Sequence, residues 1–211
     1  AEAVKRKAKL GSGEKRQQQQ AALVGVSDTV ATKARTPEAL AELLVEPEAA
    51  RARRQRDHVT DDAPRAQQVR RLASLVRTKP AVMERLKADD ELRDPQHRKP
   101  LVVLLDGALG LWSLATKLFK AWKRVTFVLD IMHVVGYLWS AANALFGEAS
   151  QAGKHWVQQK LTELLRGRVG YVSGSLRQIL TKRQLRKSVR ETRTKVITFF
   201  HNHRRWMRYD A

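Results

Sequence analysis

The sequence predicts an α/β protein in which a short parallel strand–helix–strand unit is followed by a run of helices. Three observations predict it. A wholly apolar pentad, Leu101–Leu105, and a second β-rich one, Val125–Leu129, broken only by Thr126, each run straight into an acid, Asp106 and Asp130. An unbroken apolar run such as the first is expected as a strand covered on both faces, in a sheet with parallel members. Between them, Leu111, Trp112, Ala115, Leu118, Phe119 and Trp122 recur at a helical period, with Lys117, Lys120 and Lys123 outside the stripe. Such a unit crosses over right-handedly by default, so both acids are expected at one carboxyl edge, where open α/β sheets place their sites. Everything beyond His133 reads as helix, beginning with Val134 to Phe146, which is apolar on nearly all sides and expected to be buried.

The remaining elements follow in order. Residues 1–20 are basic and then Gln-rich, with little to bury, and are expected to be flexible. Ala21 to Val30 is rich in β-formers and predicts a strand. Thr36–Pro37–Glu38 opens a helix as cap, first-turn proline and dipole-facing acid; Leu40, Leu43 and Leu44 supply its apolar stripe, and Pro47 interrupts or restarts it. After Pro64, the spacing of Val69, Leu72, Leu75 and Val76 predicts a further helix, which Pro80 cuts or replaces with another. Trp156, Val157, Leu161, Leu164 and Leu165 mark one later helix, and Val172, Leu176, Ile179 and Leu180 the next. Leu185, Val189, Val196 and Phe200 mark a last, longer one.

Charge narrows the partner. The 211 residues carry 41 Lys+Arg against 21 Asp+Glu, a formal net charge of +20. Residues 101–150 are nearly neutral, whereas residues 151–211 hold 15 basic and 3 acidic side chains. A chain so charged attracts polyanions, nucleic acid first and an acidic membrane surface second. With no cysteine, disulfides and thiolate zinc sites are excluded. Charged residues interrupt the richest apolar region, so no membrane span is expected. The chain starts on Ala and stops in mid-pattern at Arg208–Tyr209–Asp210–Ala211, which suggests a piece of something longer.

The strand-end acids are the first candidates for chemistry. Asp106 precedes Gly107 and would be desolvated on one side and open on the other, offering the hard oxygen that Mg²⁺ prefers. A strand-end Asp that caps the next helix fits equally well. Asp130 and His133 form a D-x-x-H, in which one helical turn lets the carboxylate orient the imidazole. One Asp and one His are too few for a closed zinc site, and a structural pairing fits the spacing better. His201 and His203 tempt a metal reading, but residues two apart do not share a helix face and no acids lie close by. No dinucleotide, Walker or serine-elbow motif is present.

Arg183, Arg186, Lys187, Arg190 and Arg193 recur at three- and four-residue intervals opposite Leu185, Val189 and Val196, a cationic face over an apolar one. Only Glu191 offsets it locally, so phosphate binding is favoured over a merely solvated face. His203, Arg204, Arg205, Trp206, Arg208 and Tyr209 extend the patch with aromatics that would stack on bases, although Trp206 fits a core equally well. The arginine run Arg51–Arg56 reads first as a solvated helix face.

Leu104–Leu105–Asp106–Gly107–Ala108–Leu109–Gly110–Leu111–Trp112, followed by Val128–Leu129–Asp130–Ile131–Met132–His133–Val134, resembles the central motifs of ISKra-type insertion-sequence transposases, near the mutator-like branch of the DDE class. The resemblance extends over most of the chain and is strongest from Pro100 to about Phe146. It implies a partial ribonuclease-H-like core over residues 21–133, with a short, mostly parallel sheet, and a basic, all-α insertion-like region over residues 134–211. Asp106 matches the second catalytic, metal-binding Asp, and Asp130 with His133 matches the (C/D)-x-x-H motif. No upstream strand bears a first Asp, and the sequence stops before a helix bearing the final Glu; Asp28, Glu148, Glu163 and Glu191 are not assigned to those roles. The resemblance further implies Mg²⁺ or Mn²⁺ in the intact enzyme and double-stranded DNA, at element ends and target, as substrate. Arg183, Arg186, Lys187, Arg190, Arg193, Arg204 and Arg205 would grip that DNA. A nucleoid-associated cytoplasmic location and a possible homo-oligomer follow, with an incomplete and inactive fragment expected for this chain. The alternatives are a non-catalytic nucleic-acid-binding helical protein and an α/β small-molecule enzyme using the strand-end acids.

Overall fold

The structure is a computed structural model that describes residues 22–58, 63–182 and 187–210; the Gln-rich segment, Arg183 and Arg186 lie outside the described residues. The class is α/β, as the sequence predicts. Strand β1 (Leu23–Thr29) is followed by α1 (Pro37–Val45), α2 (Pro47–Arg56), β2 (Gln67–Ser74) and α3 (Lys79–Arg93). The central unit is β3 (Leu101–Leu105), α4 (Leu109–Leu118) and β4 (Val125–Leu129). Four helices complete the chain, α5 (Ile131–Phe146), α6 (Gln151–Leu165), α7 (Val169–Lys182) and α8 (Lys187–His203), before a 3-10 turn at Arg204–Trp206.

Local chemistry sets the boundaries. Thr36 caps α1 by accepting from Ala39 N at 3.2 Å, and Pro47 restarts the chain as α2. Pro80 lies in the first turn of α3, capped by Thr78, so it starts a helix and does not cut one. Asp130 caps α5 and Ser150 caps α6.

Two expectations about the sheet are corrected. In place of one mostly parallel sheet there are two strand pairs, β1–β2 antiparallel and β3–β4 parallel. The helix expected after Pro64 is strand β2. Its apolar residues fall three apart because a bulge at Gln68, whose φ is +53°, sets two residues against one between Ser27 and Thr29. The bulge breaks the two-residue alternation that marks a strand, and pairing with β1 decides the outcome. Arg93 of α3 fastens both strands, donating to Ser27 O and Gln68 O, while Ser27 Oγ donates to Asp90. Burial pushes the Asp90 carboxyl above the usual range, partly offset by that serine.

The larger core lies among the C-terminal helices and reaches back to the parallel pair. It contains Leu129, Val134, Leu138, Val157, Leu161, Leu164, Val172, Leu176 and Phe200, together with Ala41 of α1 and Trp112 of α4. Trp112 stacks on Trp206 with ring centroids 4.0 Å apart and planes at 12°. A smaller cluster of Met83, Leu111, Ala115, Phe119 and Trp122 covers one face of β3 and meets Leu23 of β1. The other face of β3 is not covered as the apolar run predicts: Val102 is 63% exposed and Leu104 58%. Among the described residues the two clusters reach this strand through Leu101, Val103 and Leu105, all on one face. Nor is α5 buried all round, since Met132, His133, Gly136 and Ser140 line its outer face.

One cation inside the helical layer costs stability. Lys160 is 7% exposed, with Nζ 5.2 Å from the ring centre of Tyr171 and 5.9 Å from that of Trp156. Burial lowers its pKa, and Glu163 only partly opposes this. The folded chain therefore binds this proton less tightly than the unfolded chain. The resulting cost is full below the lowered folded pKa and is relieved as pH rises from there towards the ordinary lysine value. Lys160→Met is expected to raise unfolding free energy by about 1 kcal/mol at neutral pH, checked by urea denaturation; an equal loss would show that the aromatic contacts outweigh desolvation.

Candidate nucleic-acid interface at the strand edge

The parallel register pairs Leu105 with Leu129, the last residues of β3 and β4. Asp130 N donates to Leu105 O at 2.8 Å, which carries the ladder one step further. Asp106 and Asp130 therefore leave the pair side by side at its carboxyl edge, as the apolar pentads predict. Two turns then separate their roles.

Asp106 is exposed and its Oδ1 accepts from Ala108 N at 3.0 Å, closing a tight turn through Gly107 at φ +97°. A side chain at Gly107 would be strained by that φ, and its Cβ would meet His203, Leu129 and Phe199 at 3.3 Å. Asp106 does not cap α4 directly, since the cap position is Ala108. Asp130 is fully engaged. Its Oδ1 accepts from Met132 N and its Oδ2 lies against His133 Nδ1, both at 2.9 Å. The ring of His133 is thus oriented by the acid one turn earlier, and its side chain is 48% exposed.

These groups border a cleft of about 560 Å³ between the strand edge, α5 and α8. Asp106 and His133 form one side; Thr194, Lys195, Thr198 and Asn202 of α8 form the other. Its apolar floor contains Tyr137 and Phe199, whose rings stack with centroids 3.8 Å apart. A shallower depression over Met132, Gly136 and Ser140 shares His133 and Tyr137 with this cleft, so the two are continuous along α5.

Searches of protein-family models, of curated proteins and of solved structures return no match.

The expected DNA-gripping residues distribute unevenly. Lys187 and Arg193 lie on α8, but their side chains are outside the description, as Arg183 and Arg186 are entirely. Arg190 and Arg204 are exposed; Arg204 Nη2 would lie 3.1 Å from a Cβ at Gly170 of α7. Arg205 stacks its guanidinium 4.0 Å from the centre of the Trp206 ring. The aromatics of this tail are structural: Trp206 is buried, as is the neighbouring Met207, and Tyr209 donates to Leu129 O at 3.0 Å. Burial, and secondarily the charge of Asp130, push the Tyr209 phenol well above its ordinary pKa.

Sequence reasoning missed the residues of α8 that border Asp106. Thr194, Thr198 and Asn202 recur every fourth residue, a polar stripe hidden beside a more conspicuous run of arginines. It also set His203 aside with His201. The two do face different ways, His201 exposed and His203 buried, but His203 sets Nδ1 2.8 Å from Phe199 O and Nε2 2.7 Å from Gly107 O, and a neutral ring donates to one of these two carbonyls. Val196, Phe199, Phe200 and His203 share the spacing of one apolar face, a signal that marks it as a core residue.

The donor set does not complete a site for the divalent ions that the family resemblance implies. Among the described residues no group of three or more His, Cys, Asp or Glu is placed to hold a metal ion. Asp130 has a partner on each oxygen and Asp106 on one, so among the described residues Asp106 is the more open carboxylate at this edge. One carboxylate holds a largely hydrated Mg²⁺ weakly, and two-ion chemistry needs more ligands than these.

Proposed function

We propose that this chain carries the second acid and the D-x-x-H motif of a DDE-class DNA transposase of the ISKra type, on a partial ribonuclease-H-like core. In that assignment Asp106 is the catalytic and metal-binding carboxylate. Asp130 orients His133 beside the scissile phosphate, and the basic C-terminal helices hold double-stranded DNA at the element ends. Mg²⁺ or Mn²⁺ would serve the intact enzyme, with further carboxylates completing the set. The single observation that carries this is the arrival of Asp106 and Asp130 side by side on paired parallel strands, inside the two sequence blocks that resemble the family. The surplus of positive charge beyond residue 150 agrees with a polyanionic substrate. No helix of the described residues is long and apolar enough to cross a membrane.

With one open carboxylate, the chain by itself is expected to bind DNA without cutting it. Mn²⁺ binding, followed by water-proton relaxation with duplex DNA present, tests the assignment. Asp106→Ala is expected to weaken it by about ten-fold or more, the scale on which loss of a supporting ligand acts. Unchanged Mn²⁺ affinity in Asp106→Ala would favour a non-catalytic nucleic-acid-binding protein, and robust Mg²⁺-dependent nicking by the chain alone would contradict the predicted inactivity.

A further inference from the structure

Both acids sit beside a peptide unit that is held at its two ends. The unit joining Leu129 to Asp130 donates its N–H to Leu105 O at 2.8 Å and accepts through its carbonyl from the Tyr209 hydroxyl at 3.0 Å. The unit joining Gly107 to Ala108 donates its N–H to Asp106 Oδ1 at 3.0 Å, and His203 Nε2 lies 2.7 Å from its carbonyl. In each case one hold is local to the strand edge. The other comes from a single stretch, residues 203–209, that lies 80 and 96 residues further along the chain. That stretch is anchored on both sides of Tyr209. Trp206 stacks on Trp112 and Met207 is buried, while Asp210 packs so closely on Gly167 that a Cβ there would overlap its carboxylate.

We infer that Tyr209 is a positioning residue for the Asp130–His133 pair: its hydroxyl holds the peptide unit from which Asp130 projects, and through it the orientation of the imidazole. This rests on the proposed function for what the pair serves, not for its geometry. Leu129 O and Asp130 N belong to one planar unit, so losing the bond at either end lets that unit turn. Turning it moves Asp130 relative to the first turn of α5, where Oδ1 accepts from Met132 N and Oδ2 lies against His133 Nδ1, both at 2.9 Å. An ionised carboxylate only accepts, so the second contact keeps a hydrogen on Nδ1 and fixes the tautomer of the neutral ring. Burial, and secondarily the charge of Asp130, push the phenol well above its ordinary pKa. Tyr209 therefore remains a donor wherever Asp130 is ionised. A tyrosine that served the fold alone would change the melting temperature and leave the imidazole as it is.

Tyr209→Phe and Tyr209→Leu are compared with the parent chain by nitrogen NMR of the histidine rings at about pH 8, by amide hydrogen exchange and by thermal melting. In the parent, His133 is expected chiefly as the Nδ1–H tautomer. Tyr209→Phe is expected to shift it towards a mixture with Nε2–H. It should also speed exchange at Met132 N about five-fold, the worth of one hydrogen bond, while amides of the β3–β4 ladder change by less than about two-fold. Tyr209→Leu, which removes the ring as well, should lower the melting temperature further without moving the tautomer beyond its position in Tyr209→Phe. An unchanged tautomer and unchanged Met132 exchange in Tyr209→Phe overturn the proposal whatever the melting temperature, as does an acceleration shared equally by Met132 and the ladder. Neither readout needs DNA or a metal. Failure of the transposase assignment would therefore leave Tyr209 in this role, and failure here would leave the Mn²⁺ measurement on Asp106→Ala untouched.

Discussion

Trp206→Ala is expected to lower unfolding free energy by about 3–5 kcal/mol, the range for deleting a large aromatic from a packed core. Trp206 is 7% exposed and lies flat on Trp112, which is itself 1% exposed, with ring centroids 4.0 Å apart. Arg205 covers its outer side. Removing the indole takes away the partner of Trp112 and leaves a cavity where the C-terminal turn meets the strand–helix–strand unit. Duplex affinity measured well below the melting transition is expected to change little. A variant that kept its stability but lost affinity would mean instead that Trp206 stacks on bases, as its basic neighbours in the sequence also allow.

His203→Leu is expected to cost about 2–4 kcal/mol, from an unsatisfied carbonyl together with imperfect repacking. The ring of His203 is buried between Phe199 and Trp206, and its two nitrogens lie at 2.7 and 2.8 Å from carbonyl oxygens of Gly107 and Phe199. Phe199 lies within a helix, so its carbonyl has the helical ladder available. Gly107 does not; the tautomer with its hydrogen on Nε2 satisfies that oxygen, and leucine would leave it without a donor. The consequence is local as well as global, because Gly107 is the hinge of the turn that Asp106 closes. Hydrogen exchange at Ala108 N, the amide that Asp106 accepts from, is therefore expected to accelerate in His203→Leu and to recover partly in His203→Gln, which retains a donor. Unchanged exchange with lowered stability would show that His203 serves the core alone and does not position the acid.

The parallel pair and its acids were legible because two local signals agreed. The first pentad is apolar throughout and the second in all but Thr126, and each meets an acid where the chain must turn. Proline and threonine likewise marked the starts of α1 and α3 through chemistry confined to a few residues. Strand β2 was not legible, because its bulge gives Val69 and Leu72 a helical spacing and only β1 can reveal the pairing. Burial on both faces of β3 was overestimated for a related reason: an apolar run shows what a strand tolerates, not which layers surround it. In the candidate site, Asp106, Asp130 and His133 were found from spacing. Lys195, Tyr137 and Gly136 were not, because they come from two helices whose facing sides are fixed by tertiary packing. The stacked pair of Tyr137 and Phe199 joins positions 62 residues apart.

The chain contains no cysteine, so Asp106→Cys provides a single attachment point for a tethered iron chelate at the strand edge. With end-labelled DNA bound, hydroxyl radicals from that position should cut one strand within a narrow window of a few nucleotides. That outcome is required if the edge carrying the paired acids lies against the DNA backbone. Cuts spread evenly along both strands, or none at all while binding persists, would mean that the polyanion is held elsewhere and that the two acids do not face it.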